Sequence, residues 1–153
     1  MFNKKLAIIG ASGAVGRVFI ELLDEMYPGT KDLFLVASKR SAGKSMLCGK
    51  EEFLIQDIED FDFSQVDIAF FSAGAETAEK YAPIAVSQGC TVIDNSSQFR
   101  KDSDKPLIVP EVNSRDLKDF KLPGIIANPN CSTAQLVVAL KPIHELFKIE
   151  RVD

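Results

Sequence analysis

Short apolar runs alternate with helical patterns along this chain, and this alternation limits its possible folds more than any other feature. The apolar runs that predict strands are residues 6–9, 33–37, 53–55, 68–71, 92–93, 107–109 and 125–127. Apolar residues at helical spacing predict helices over residues 15–26, 77–88, 115–120 and 132–140. Short strands that are apolar throughout are typical of a parallel sheet covered on both faces. The sequence therefore predicts the α/β class, as a doubly wound, mostly parallel sheet of the Rossmann type.

Length, charge and cysteine content restrict the classes of function. The chain has 153 residues, which suits one domain, or one domain and the start of a second. Its net charge of −4, without a basic tail, argues against nucleic acid as a partner. No apolar stretch approaches the ~18–20 residues of a membrane span. Three irregularly spaced cysteines fit neither a disulfide framework nor a zinc site, so we expect a cytoplasmic protein with reduced thiols and no metal.

The segment GASGAVG follows the first predicted strand and opens the first predicted helix. Its glycines, Gly10, Gly13 and Gly16, form a GxxGxxG variant of the dinucleotide fingerprint. Gly10 would permit the tight turn, Gly13 would let the backbone approach a pyrophosphate, and Gly16 would allow close contact between helix and strand. The N–H groups at the helix N-terminus would bind the phosphates. We predict a dinucleotide site here, and the alternative is a purely structural turn.

The loop after the second predicted strand indicates which dinucleotide is bound. An NAD site usually has an acidic residue there, about 20 residues after the glycines, whose carboxylate accepts hydrogen bonds from the ribose hydroxyl groups. No Asp or Glu lies between Leu33 and Lys50. Ser38, Arg40 and Ser41 would instead bind a 2′-phosphate, with the planar guanidinium as the charged donor. The sequence favours NADP, and the alternative is an ordinary solvated loop.

Two further predicted strands end in small and polar residues. SAG, at Ser72, Ala73 and Gly74, ends one strand, and DNSS, at residues 94–97, ends the other. Ligands of doubly wound folds bind along the edge where parallel strands have their carboxyl ends. Small side chains there leave room for ribose and nicotinamide, although each motif alone is also typical of ordinary turns.

Cys131 follows a short strand and lies at the start of the last predicted helix. Pro129 fixes the approach of the chain, and the positive end of the helix favours the thiolate, which is the nucleophilic form. The alternative is a small buried apolar residue, which is our interpretation of Cys90. Cys48, in a polar loop, is assigned no role. A nicotinamide cofactor together with a cysteine nucleophile suggests aldehyde oxidation through a thioacyl enzyme.

That chemistry also needs a base, and a cation if phosphate is the acyl acceptor. Arg100 is the candidate cation, and the alternative is an ordinary surface arginine. The only histidine, His144, lies 13 residues after Cys131, about 20 Å along a straight helix. We therefore expect His144 to be an exposed helix residue, and the base to lie outside this chain unless a carboxylate serves.

The motifs GASGAVGR, SKRSAG, SAG, DNSSQFR, VPEVN and NPNCST, in this order, resemble the amino-terminal half of the aspartate-semialdehyde dehydrogenase family. The resemblance covers essentially the whole chain. It implies reduction of aspartyl 4-phosphate by NADPH to aspartate 4-semialdehyde and phosphate, in lysine, methionine, threonine and diaminopimelate biosynthesis. It implies that Cys131 is the nucleophile, that Asn130 positions the acyl group and that Arg100 binds the substrate phosphate. The implied cofactor-binding residues are Gly10, Ser12, Gly13, Ala14, Val15, Ser38, Arg40, Ser41, Ser72, Ala73, Gly74 and Asn95.

The same resemblance implies an amino-terminal fragment. Residues 1–127 would form the NADP-binding domain, and residues 128–153 would begin a catalytic domain, with residues 148–153 starting another strand. The family's second half carries a glutamine, an arginine and a histidine of the active site and most of the dimer interface. We therefore expect this chain to be inactive alone, to expose an apolar patch and to self-associate, whereas the longer protein would be a homodimer or a higher oligomer.

Three other interpretations stay open at this point. The chain could belong to an N-acetylglutamyl-phosphate reductase or another phosphorylating aldehyde dehydrogenase, whose local motifs differ from NPNCST. It could be a non-catalytic NADP-binding module. It could also be a short-chain-type reductase or a nucleotide sensor in which Cys131 is structural.

Overall fold

Seven strands form one mostly parallel sheet in the computed structural model of the chain, which describes residues 4–152. The strands are β1 (Leu6–Ile9), β2 (Leu33–Ala37), β3 (Ser45–Cys48), β4 (Glu51–Asp57), β5 (Ile68–Phe71), β6 (Thr91–Asp94) and β7 (Ile125–Ala127). Their order across the sheet is β3-β4-β2-β1-β5-β6-β7, and every neighbouring pair is parallel except β3 and β4. The strand order reverses at β1, so the sheet is doubly wound and the predicted fold class is confirmed.

Helices cover the two faces of this sheet. They are α1 (Ala14–Met26), α2 (Ala75–Ser87), α3 (Pro110–Asn113) and α4 (Cys131–Phe147), with 3-10 turns at Phe63–Gln65 and Ser114–Leu117. Side chains along β1 alternate between the faces, so Ile8 packs in the layer under α1 and Ile9 in the layer under α2. The α2 layer receives three fully buried alanines from its helix: Ala78, Ala82 and Ala85. These small side chains let α2 approach β5 and β6 closely.

Two helices expose much of their apolar surface, as the sequence led us to expect. On α1, Val15, Val18, Leu22 and Met26 are exposed, beside Phe19, which stacks on Phe70 of β5. Within the described part of the chain α4 has no buried residue, and its exposed apolar residues are Leu136, Val138, Ile143, Leu146 and Phe147. Within residues 4–152, no helix has the length and apolar character needed to cross a membrane.

The edges of the sheet differ from the prediction. The weak strand expected at residues 53–55 is part of a hairpin formed by β3 and the longer β4. The sequence did not predict the hairpin because it has no continuous apolar pattern. Leu47 and Leu54 face solvent along with their charged neighbours. Residues 107–109 do not form a strand: Leu107 makes a single bridge to Ala127, and Pro110, which lacks an N–H group, begins α3.

Two helix predictions also need correction. The helix expected at residues 115–120 is the 3-10 turn Ser114–Leu117, and α4 runs on through Pro142 to Phe147 instead of ending near residue 140. Because this helix is exposed, water can bond the carbonyl group that Pro142 leaves without an N–H partner. Lys148 ends the helix with φ +56°, and residues 148–152 contain no strand. Asp153 and residues 1–3 lie outside the described residues, and the predicted domain boundary after residue 127 stays a prediction.

Candidate active site

The glycine loop makes a tight turn between β1 and α1. Gly10 has φ +89°, a conformation that favours glycine, and its N–H donates to the carbonyl oxygen of Val36 at 2.8 Å. A Cβ atom on Gly16 would lie 2.4 Å from the carbonyl oxygen of Gly10, so only glycine permits this contact between helix and turn. Gly13 is exposed, and its binding to a phosphate stays a prediction.

A cavity of about 280 Å³ opens beside the glycine loop. It lies at the carboxyl ends of β1, β2 and β5, which are neighbours in the sheet. The predicted cofactor residues that line it are Gly10, Ser12, Gly13, Ser38, Ser72 and Ala73. Its lining residues that the sequence did not indicate are Ile9, Ala37, Ile58 and Thr77. Among the described residues that line the cavity none is acidic, so the space suits an anionic ligand.

The other predicted cofactor residues lie around this cavity. Ala14 and Val15 begin α1, and Gly74, with φ +89°, is the N-cap of α2. Arg40 is exposed on the loop after β2. Asn95 follows β6, one strand further along the same edge, and its N–H donates to Phe71 O at 2.9 Å.

Hydrogen bonds tie the glycine loop to the loop after β2. Ser12 Oγ donates to Ser41 Oγ at 3.0 Å, and Ser41 is buried, with its N–H donating to Ser38 O at 2.8 Å. The two loops that would meet the diphosphate and the 2′-phosphate are therefore linked directly by a hydrogen bond. Arg17, which the sequence analysis did not assign, donates from Nε to Ser12 O at 3.1 Å. Arg17 directly follows GASGAVG in the sequence, and this position could have identified it as a positively charged residue of the site.

Cys131 differs from the other two cysteines in its exposure. It is exposed at the first position of α4, whereas Cys48 and Cys90 are buried. Burial raises the pKa of the Cys90 thiol to about 12, and the carboxylate of Asp67 adds to this shift. Our interpretation of Cys90 as a small buried residue is confirmed. Cys48 lies in β3 and not in a polar loop, and burial raises the pKa of its thiol as well.

Asn130 caps the helix that Cys131 begins. Its Oδ1 accepts a hydrogen bond from the N–H of Ser132 at 2.9 Å and lies 3.9 Å from the Sγ atom of Cys131. Asparagine is among the preferred N-cap residues because its short side chain reaches the first-turn N–H groups. His144 is exposed in the last turn of the same helix, about 20 Å from the thiol by helix geometry.

Arg100 joins the loops that follow β6 and β7. Its Nε donates to Asn128 O at 2.8 Å and its Nη2 to Asn95 O at 3.0 Å. These bonds engage two of its five N–H groups, and the other three have no protein partner within the described part of the chain. The half-buried guanidinium of Arg100 can therefore bind an anion while the two backbone carbonyl groups hold it in place.

Comparisons with known proteins agree with this arrangement. Residues 5–120 match the family described as "Semialdehyde dehydrogenase, NAD binding domain". The aspartate-semialdehyde dehydrogenase of Shewanella violacea is 52% identical over 148 residues, which are 97% of this chain and 44% of that protein.

Solved structures show the same similarity. Aspartate semialdehyde dehydrogenase II of Vibrio cholerae, complexed with ASA, superimposes with a TM-score of 0.92 at 51% identity, over 97% of this chain and 48% of that one. The enzyme of Candida albicans with NADP gives a TM-score of 0.76 at 32% identity, over 95% of this chain and 48% of that one. The chain thus spans less than half the length of these relatives.

Proposed function

Because the chain belongs to the semialdehyde dehydrogenase family through its NAD-binding domain, we propose that it is the amino-terminal part of an aspartate-semialdehyde dehydrogenase. The longer protein reduces aspartyl 4-phosphate to aspartate 4-semialdehyde and phosphate, and acts as a homodimer or higher oligomer. The observation that carries this proposal is the exposed thiol of Cys131 at the start of α4, on the same sheet edge as the glycine loop.

The reaction uses Cys131 as its nucleophile. Its thiolate attacks the acyl carbon of the substrate, so that a C–S bond forms, the C–O bond to phosphate breaks and phosphate leaves. Arg100 holds the phosphate with the N–H groups that its backbone bonds leave available. Asn130 keeps the thiol at the helix start through its cap. When bound, NADPH supplies the hydride that reduces the thioester, after which the C–S bond breaks and the aldehyde and thiolate are released.

The residues around the cavity fit both the diphosphate and the 2′-phosphate of a dinucleotide such as NADP. The first-turn N–H groups of α1 and the exposed backbone of Gly13 suit the diphosphate. Ser38 and Arg40 suit a 2′-phosphate, because their loop carries no carboxylate that would repel it. We therefore favour NADP over NAD as the cofactor, a preference supported by the NADP in the Candida albicans structure.

The base of the reaction belongs to the longer protein. His144 is too far from Cys131 to exchange a proton with its substrate, and it is the only histidine of the chain. Residues 1–127 then form the cofactor domain, and residues 128–153 begin the catalytic and dimerisation domain. The 153-residue chain alone is expected to be inactive.

Phosphate-dependent reduction of NADP with aspartate 4-semialdehyde tests the proposal, on this chain and on the longer gene product. Activity in the longer protein alone, lost in Cys131→Ser, is the expected result. Activity in the short chain would contradict the absence of a base. Turnover of N-acetylglutamate semialdehyde but not of aspartate 4-semialdehyde would assign the protein to the other phosphorylating reductases.

A non-catalytic NADP-binding module is the second candidate, because the only histidine of the chain, His144, lies about 20 Å along α4 from Cys131. NADP binding without turnover in either protein would favour this candidate. Unchanged turnover after Cys131→Ser would instead favour a short-chain-type reductase with a structural cysteine.

A further inference from the structure

Asn128 directs three polar groups towards the loop that follows β6. Its N–H donates to Asp94 O at 2.8 Å, and its carbonyl oxygen accepts from Arg100 Nε at 2.8 Å. Its side-chain Nδ2 donates to Asn95 Oδ1 at 2.7 Å. All three bonds run from the residue after β7 to residues 94–100, and no bond of this set reaches a helix. Asn128 therefore ties the end of β7 to the end of β6.

The partner loop is itself well fixed. The fully buried carboxylate of Asp94 accepts hydrogen bonds from Ser96, through N–H at 3.0 Å and Oγ at 2.7 Å. Asn95 donates its N–H to Phe71 O and accepts at its carbonyl oxygen from Arg100. The side chain of Asn95 is fixed in turn by the hydrogen bond that it accepts from Asn128.

The nucleophile lies three residues beyond this anchor. Pro129 is buried and allows little rotation, and Asn130 caps α4 through Ser132. Cys131 itself is exposed, and its Sγ lies 3.9 Å from the Oδ1 atom of Asn130. The position of the thiol relative to the sheet edge therefore depends on the anchor behind it.

We infer that Asn128 is a positioning residue, which holds the thiol of Cys131 at the sheet edge and orients the amide of Asn95. The inference rests on the proposed function, which gives Cys131 its role as nucleophile. Because Asn95 Oδ1 accepts from Asn128, its Nδ2 is directed away from that bond and remains as a donor for a ligand. The side-chain bond thus orients a polar group on the cofactor side and, together with the two backbone bonds of Asn128, fixes the chain that leads to the thiol.

Alkylation of Cys131 by iodoacetamide tests this inference on the 153-residue chain without any turnover. Asn128→Ala and Asn95→Ala each remove the same hydrogen bond from opposite sides. Each is expected to slow alkylation at Cys131 by a similar factor, because each removes the same hydrogen bond between the two loops. Mass spectrometry of the modified peptides gives the rate at each cysteine.

Two comparisons separate positioning from general loss of structure. The double variant Asn95→Ala with Asn128→Ala should react no more slowly than the slower single variant, because both remove one bond. Asn113→Ala, the matched control, removes three hydrogen bonds around α3 and none between the two loops. It should leave the alkylation rate at Cys131 unchanged even where it lowers the melting temperature.

The inference is overturned if Asn128→Ala and Asn95→Ala alkylate at the rate of the unsubstituted chain, or if Asn113→Ala shows the same loss. Additive effects in the double variant would also overturn it. If one single variant fails to fold, Cys48 and Cys90 become reactive in it, and the other single variant carries the test. A failure of the proposed function would instead appear as missing turnover in the longer protein, with the alkylation result unaffected.

Discussion

At the scale of single residues, the three cysteines of one chain have three different environments. Cys131 is exposed, whereas Cys48 donates to the carbonyl oxygen of Ile20 at 3.7 Å and Cys90 is fully buried. A thiol reagent reaches only groups that are both accessible and ionised. These environments therefore predict selective labelling.

Native protein at pH 7.5 should bind one equivalent of a disulfide reagent rapidly, and unfolded protein should bind three, the full cysteine content. Cys131→Ser should abolish the rapid equivalent and leave two in the unfolded chain. A colorimetric thiol titration with and without guanidinium measures both numbers. Rapid labelling of the Cys131→Ser variant would show that a buried thiol is accessible.

Arg40 is the residue on which the proposed preference for NADP depends. Arg40→Ala should weaken NADP binding about tenfold, since a charge-assisted hydrogen bond contributes about 1.5–3 kcal/mol and an exposed one less. NAD binding should change little, because NAD lacks the 2′-phosphate. Lys39→Ala, in the same exposed loop, is the control. Calorimetric titration with both cofactors measures the four affinities, and an equal effect of the two variants would assign Arg40 to a solvated surface.

The sequence predicted the local structural role of a residue correctly where that role depends only on its neighbours in the chain. Gly10, Gly16 and Cys131 are examples, because a turn, a close contact and a helix start are all local. The bond between Asn95 and Asn128 was missed because it joins residues 33 positions apart. Their contact depends on β6 and β7 being neighbours, which no local pattern indicates.

At the scale of elements, the junction of β1 and α1 separates the structural role of a glycine from its binding role. Gly16→Ala places a Cβ atom 2.8 Å from the Cα atom of Ala11 and closer still to Gly10 O. Gly13→Ala meets only Gly10 O, at 3.2 Å, and its φ of −76° suits alanine. The two variants should therefore affect different properties, stability at Gly16 and ligand binding at Gly13.

Gly16→Ala should lower the free energy of unfolding by about 2 kcal/mol or more, because backbone cannot move aside as a side chain does. Gly13→Ala should cost less than about 1 kcal/mol but weaken NADP binding. Urea denaturation and cofactor titration of both variants provide the comparison. Equal stability losses would contradict the close contact at Gly16.

Cys90, directly before β6, makes the folding stability of the protein depend on pH in the alkaline range. In the unfolded chain the thiol ionises near its ordinary pKa of 9.0, whereas burial raises the pKa in the folded protein to about 12. Between these values the unfolded state alone loses the proton, so the stability contribution present below pH 9 falls as pH rises. At about pH 10.5 the loss should be about 1 to 2 kcal/mol.

Cys90→Ala should remove that part of the pH dependence. Denaturation curves of both proteins at pH 7.5 and pH 10.5 isolate it, since other alkaline titrations are common to the two. A stability difference between the proteins that does not change with pH would show that the Cys90 thiol ionises equally in both states.

Strands were predicted correctly where every residue in them is apolar. The apolar strands β1, β2 and β5 were recognised with their exact bounds. The β3–β4 hairpin was not, because half of its residues face water and interrupt the apolar pattern. The end of α4 was predicted too early, because a proline inside an exposed helix looks like a stop in the sequence.

At the scale of the whole molecule, the chain exposes apolar side chains on two helices. Leu146 and Phe147, at the end of α4, are 76% and 78% exposed. Contiguous apolar surface of this kind favours association between molecules. The fold class could be predicted from the sequence, whereas the extent of this surface depends on which helix faces meet the sheet.

The chain should therefore bind an apolar dye in its native state and form oligomers as its concentration rises. Replacing Leu146 and Phe147 together by lysine should weaken association without lowering the melting temperature, because neither side chain packs in the core. Sedimentation velocity over a range of concentrations measures the effect. A monomer at all concentrations, without dye binding, would contradict the prediction.

The strand order also sets a length scale across the carboxyl edge of the sheet. The glycine loop follows β1 and Cys131 follows β7, three strand positions away in the order β1-β5-β6-β7. Neighbouring strands are about 4.8 Å apart, so the two points are separated by about 14 Å. A ligand that is bound by its phosphates at the glycine loop must therefore extend along this edge of the sheet to bring its reactive group to Cys131.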